Sequence, residues 1–86
     1  MATYAVTDPS KYFFLRGGGE LKSLEELFVE LQAMEPHVWQ HHVNPERNDF
    51  ASWVRDVMGD RFLARRISLV TSKDELLKLL FINFFR

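Results

Sequence analysis

Apolar positions along this chain change period several times, and each change marks an element. Tyr12, Phe13, Phe14 and Leu15 form a short aromatic run, which predicts an extended segment or single strand. Arg16 and Gly17-Gly18-Gly19 end it as a flexible turn. Leu24, Leu27, Phe28, Leu31 and Met34 then recur at the 3.6-residue spacing of a helix with one buried face, with Glu25, Glu26 and Glu30 on the other. Ser23 with Glu26 three residues later is a capping box. The hydroxyl accepts from an early backbone N–H, and the carboxylate reaches back to the cap.

Pro36 suits the first turn of a second helix carrying Val38, Trp39, His42 and Val43, because its missing N–H would have no helical partner. Two start signals follow: Asn44-Pro45, with Asn as cap and Pro at the first position, and Asn48-Asp49 four residues on. A third helix bears Phe50, Trp53, Val54 and Val57 and stops at Gly59, a residue that turns left-handed without steric cost. Asp60 caps a fourth, with Leu63 and Ile67 one turn apart. Thr71 or Ser72 opens a fifth, where Ser72 and Glu75 repeat the capping box. In that last helix Leu76, Leu77, Leu79, Leu80, Phe81, Ile82, Phe84 and Phe85 are apolar almost all the way round. The pattern predicts one all-α domain over residues 1–86, a small bundle of four to five short helices behind an N-terminal extended aromatic segment. Trp39 and Trp53 are expected near its centre, 1–11 as flexible, and 73–86 as an apolar C-terminal helix.

Composition narrows the class. With 86 residues, 47% of them apolar, there is one core and no excess of polarity that would leave the chain disordered. The absence of cysteine excludes disulfides, thiolate metal sites and thiol nucleophiles. The N-terminal MATYAVTDPSKYFF lacks the form of a signal peptide and no stretch is long enough to span a bilayer, so a soluble cytoplasmic protein is expected. The net charge of -1 conceals an asymmetry. Residues 1–46 carry three basic and seven acidic side chains, and 47–86 carry eight basic and five acidic. Such polarity suits self-association or a partner with one charged face, rather than general DNA binding.

Four groups of residues have chemistry to offer. His37 and His41, four apart, share a helix face with His42 beside them, and Glu46 or Asp49 would supply a further metal ligand. The plainer reading is one packed histidine and two solvated ones. Asp49 and Asp56, seven apart, would lie on one helix face about 10 Å apart along the axis. That is long for an acid–base pair, and capping explains Asn48, Asp49 and Asp60 more simply. Arg55, Arg61, Arg65 and Arg66, with Arg47, form the only basic cluster. They could contact phosphates, the acidic face of the first helix in a second copy, or merely solvent. The C-terminal helix is the strongest pointer. Leu76, Leu80 and Phe84 can face the core while Leu77, Phe81 and Phe85 form an exposed patch of the kind that marks interfaces, unless the YFFL segment covers it.

The segment HHVNPERNDFASWVRDVMGDRFLA, with the upstream LKSLEELFVELQAM, resembles a small uncharacterised domain family of archaea and bacteria. Its pattern runs as an apolar segment, SL-x-EL, HHV-N, NDF-x-x-W, D-V-x-G-D and L-A, matching residues 12–67. The resemblance implies a compact helical domain, standalone or appended, and brings no assigned activity. It does not extend to LLFINFFR. The expectation is therefore a non-catalytic module without cofactor or small-molecule substrate, acting as a homo-oligomer or with a protein partner through Leu77, Leu80, Phe81, Phe84 and Phe85. Nucleic-acid or ribosome association through the arginines and metal binding through the histidines are the alternatives.

Overall fold

Hydroxyl, amide and carboxylate caps start four of the five helices, and their spacing sets the architecture. In the computed structural model, which describes residues 5–85, strand β1 (Phe13–Phe14) pairs antiparallel with β2 (Glu20–Leu21). Helix α1 (Leu24–Ala33) and α2 (Pro36–His42) follow. A second hairpin, β3 (Val43–Asn44) and β4 (Arg47–Asn48), leads into α3 (Asp49–Trp53), a π-helical turn (Val54–Met58), α4 (Arg61–Ser68) and α5 (Lys73–Phe84). The fold is thus mostly helical but not purely all-α.

Each cap is visible. Ser23 Oγ accepts the Glu26 amide, Asn48 Oδ1 that of Ala51, Asp60 Oδ1 that of Leu63 and Ser72 Oγ that of Glu75. The box at Ser72 is complete, since Glu75 Oε1 accepts the Ser72 amide in return. At α1 the return bond lands one residue early, on the Lys22 amide. Asn44-Pro45 does not start a helix. Asn44 Nδ2 instead donates to the Gln40 carbonyl at the end of α2 and its Oδ1 accepts the Glu46 amide, so it closes one helix and turns the hairpin. The start four residues on, at Asn48, is the one used.

The third helix widens after Trp53. Gly59, at φ 74°, sends its N–H to the Val54 carbonyl five residues back. A π turn of this kind adds a residue to the turn. Asp49, before the turn, and Asp56, within it, meet different partners, His42 and Arg55.

The core centres on Phe50, fully buried, with Phe13 stacked at 4.7 Å and Trp39 at 6.0 Å between ring centroids. Trp39 and Trp53 are both buried at its margin. Removing a ring like Phe50 would cost about 3–5 kcal/mol. α1 packs on α5, and their Leu24, Leu27, Leu31, Leu76 and Leu80 are all fully buried. Leu80 is therefore core and not interface, a correction to the sequence reading. Phe13 of β1 and Leu15 just beyond it are buried, and Phe14 between them is exposed.

Of the N-terminal stretch read as flexible, residues 1–4 lie outside the described residues, as does Arg86 of the C-terminal span. Val6 donates its amide to the Lys22 carbonyl, Ala5 bridges Ser23, and Pro9–Lys11 forms a 3₁₀ turn capped by Asp8. The Trp53 indole N–H, 2.9 Å from the Lys11 carbonyl, fastens that turn to α3. Gly17, Gly18 and Gly19 all have positive φ, and the turn they make is closed by the Leu15 amide on the Gly19 carbonyl.

Candidate functional site

The three histidines part company. His37 is exposed beside Glu35. His41 Nε2 lies 3.2 Å from Arg47 Nη2, whose guanidinium also donates to the His41 carbonyl. His42 is buried beneath β1, edge-on to Phe13 at 4.9 Å. Its Nε2 accepts the Arg16 amide at 3.0 Å, so the proton is assigned to Nδ1, which donates to Asp49 Oδ2 at 3.0 Å. Asp49 in turn faces Arg47 at 3.5 Å.

An aspartate orienting a histidine is half of a catalytic triad. Here the other ring nitrogen, the one that would take a proton from a nucleophile, is held by a backbone amide under the core. Neither nitrogen of His42 has a lone pair left for a metal, and among the described residues no group of three or more His, Asp or Glu could hold one. The arrangement lends no support to a metal at His37, His41 and His42: His42 ties the glycine hairpin to α2 and α3, His41 meets Arg47 of the second hairpin, and His37 stands in solvent. Partial burial first, and then the neighbouring His42 ring and the positive charges of Arg47 and Arg16, keeps His41 below its ordinary value of 6.5, against an opposing pull from Asp49. The acid–base reading fails too. Asp56 pairs with Arg55 at 2.9 Å, a hydrogen bond that holds its carboxyl below the usual range, while Asp49 serves His42.

The arginines divide. Arg47 is drawn away to His41 and Asp49. Arg55, Arg61 and Arg65 gather around one open groove of about 640 Å³ between α3 and α4, floored by Ala51, Ala64 and Ser68, and Arg66 does not line it. Phe62, 87% exposed, stands in the same groove. The sequence reading did not single out Phe62, which stands one residue before the buried Leu63 and on the exposed side of α4. Arg61, Arg65 and Arg66 have no ion pair or hydrogen-bonded acceptor among the described residues; Arg55 has Asp56.

No family model, curated protein or solved structure matches this chain. Its surface must be read on its own chemistry.

α5 carries an exposed apolar surface. Phe81, Ile82 and Phe85 are exposed by 54%, 55% and 74%, and Leu77 and Phe84 are half-buried at the border with the core. Phe81 and Phe85 rings meet at 4.8 Å. Phe28 of α1, which the periodicity assigned to the core, joins them at 6.5 Å from Phe81 and 5.7 Å from Phe84. The YFFL segment does not cover this face, because Phe13 packs against His42, Phe50 and Trp53. Among the described residues no helix is long and apolar enough to cross a membrane.

Proposed function

We propose that this domain is a non-catalytic interaction module that docks a protein surface, a second copy or another partner, through the aromatic face of α5 completed by Phe28. One observation carries the reading. Phe81, Ile82 and Phe85 remain more than half exposed on a helix whose Leu76 and Leu80 already fill the core. Rings in van der Waals reach of one another, standing in water, are the composition of an interface centre rather than of a solvated face. The Asp49–His42 pair, both of whose imidazole nitrogens are committed, supports the non-catalytic part.

The test is sedimentation equilibrium at about 0.5 M salt, where surface charge is screened to a few ångström and apolar contact persists. Wild type is expected to gain mass with concentration, and Phe81→Glu/Phe85→Glu to remain a folded monomer by circular dichroism. A wild type that stays monomeric would sink the self-association arm. A double variant that unfolds would put these rings in the core and sink the reading itself.

A further inference from the structure

We infer that the α3–α4 groove is a docking site for the outer face of α1 in a second copy of this chain, a head-to-tail contact separate from the aromatic face of α5. The groove has small residues along its floor, Ala51, Ala64 and Ser68, which let a helix backbone come close. Arginines rise from both walls: Arg55 from the π turn, Arg61 and Arg65 from α4. Phe62, 87% exposed, supplies an apolar knob.

The outer face of α1 is the complement in each respect. Glu25, Glu26 and Glu30 surround Val29, which is 66% exposed, and Ala33 continues the face. Glu26 is occupied at the Lys22 amide, but among the described residues Glu25 and Glu30 have no ion pair or side-chain hydrogen bond, as Arg61 and Arg65 have none. One surface thus holds unpaired anions around an apolar centre, and the other holds unpaired cations around one. The same chain carries both, one in each half of its charge asymmetry. Electrostatic complementarity of this kind fixes partner and register. A phosphate backbone fits the groove less well. The protein is net negative, which repels a polyanion at long range, and Asp56 sits on Arg55 at the rim.

Because the two surfaces differ, the contact is heterologous and can be tested by charge reversal in mixtures. Arg61→Glu/Arg65→Glu makes both surfaces acidic, and Glu25→Arg/Glu30→Arg makes both basic. Each variant opposes its own kind, while the unlike pair is complementary at either contact. The α5 face is the same in all pairings, so it drops out of the comparison, and its failure as an interface would leave this result untouched. With donor and acceptor dyes on the two variants at low salt, energy transfer is expected at about tenfold lower protein concentration for the unlike pair than for either like pair. Near 1 M salt, where the Debye length is about 3 Å, the difference should vanish. Equal association of like and unlike pairs overturns the inference. So does a titration in which wild type binds a labelled oligouridylate, Arg61→Glu/Arg65→Glu does not, and the mixture shows no preference, which would give the groove to phosphates. Both variants change exposed side chains, and circular dichroism before mixing verifies their fold. Should either lose it, the salt dependence of wild-type self-transfer decides, with a salt-insensitive signal overturning the contact.

Discussion

The imidazole of His42 takes the amide proton of Arg16 across 26 residues of chain, and this single bond fastens the glycine hairpin to α2. The acceptor is the deprotonated ring nitrogen, and Asp49 holds the tautomer that leaves it so. Replacing His42 by Phe keeps the ring packing against Phe13 and Phe50 but strands the Arg16 N–H and one Asp49 oxygen. The expected loss is about 1–3 kcal/mol in urea unfolding, the cost of orphaned polar groups. His37→Phe, on an exposed side chain, is expected to change stability by less than about 0.5 kcal/mol.

Asn48 works at both ends of its amide. Oδ1 caps α3 through the Ala51 amide, and Nδ2 donates to the Ile67 carbonyl in the last turn of α4 at 2.9 Å. Asn48→Ala is expected to cost about 1–3 kcal/mol by losing both. Asn48→Asp separates the two roles. It keeps a good cap but sets a carboxylate against the Ile67 carbonyl, so it too should destabilise in thermal melts. An Asp variant as stable as wild type would show that only the cap matters.

Leu80 and Phe81 are neighbours in sequence with opposite fates, one fully buried and the other 54% exposed. Leu80→Ala is expected to cost about 2–5 kcal/mol, and Phe81→Ala well under 1 kcal/mol, in the isolated monomer. Guanidinium unfolding of the two variants checks this. Comparable losses would mean that Phe81 belongs to the core.

Acid sensitivity should trace to Glu75. Its carboxylate accepts the Thr71 amide at 2.7 Å, the Thr71 hydroxyl at 2.8 Å and the Ser72 amide, and these bonds, the backbone one first, lower it from the ordinary 4.5. A carboxyl lowered on folding stabilises above its unfolded value, and that contribution is lost as pH falls through 4.5 toward the folded value. His41, also lowered, binds its proton less readily when folded. Its contribution is complete above 6.5 and declines as pH falls below that. Melting temperatures of wild type and Glu75→Gln, taken from about pH 7 to about pH 3, should converge at the acid end. Parallel curves would remove Glu75 as a source.

Local chemistry made much of this legible from sequence. Ser72 with Glu75, Asp60 and Gly59 act within three to five residues of themselves, so the pattern contains their whole geometry. Asn44-Pro45 misleads because the same pair that can open a helix can also turn a hairpin, and only the tie to Gln40 decides. The π turn was invisible because an added residue leaves no gap in the hydrophobic pattern. For the surfaces, Phe81 and Phe85 stood out because one helix cannot bury its whole circumference. The groove did not, since Phe62 joins Arg55 only when α3 and α4 are set side by side. Asn48 caps, Phe50 fills the core and Trp53 ties down the N-terminal turn, so this run of residues has structural work in the chain.

The bond from Trp53 to Lys11 spans 42 residues, against the short loops that join α3, the π turn and α4. Closing so long a loop is entropically slow to be rewarded. The N-terminal segment is therefore expected to dock on the late side of the folding barrier. Loosening it by Trp53→Phe should leave the refolding arm of a chevron nearly unmoved and lift the unfolding arm. On that outcome the indole is a brake on opening, and the lifetime of the native state depends on it more than the speed of its formation does.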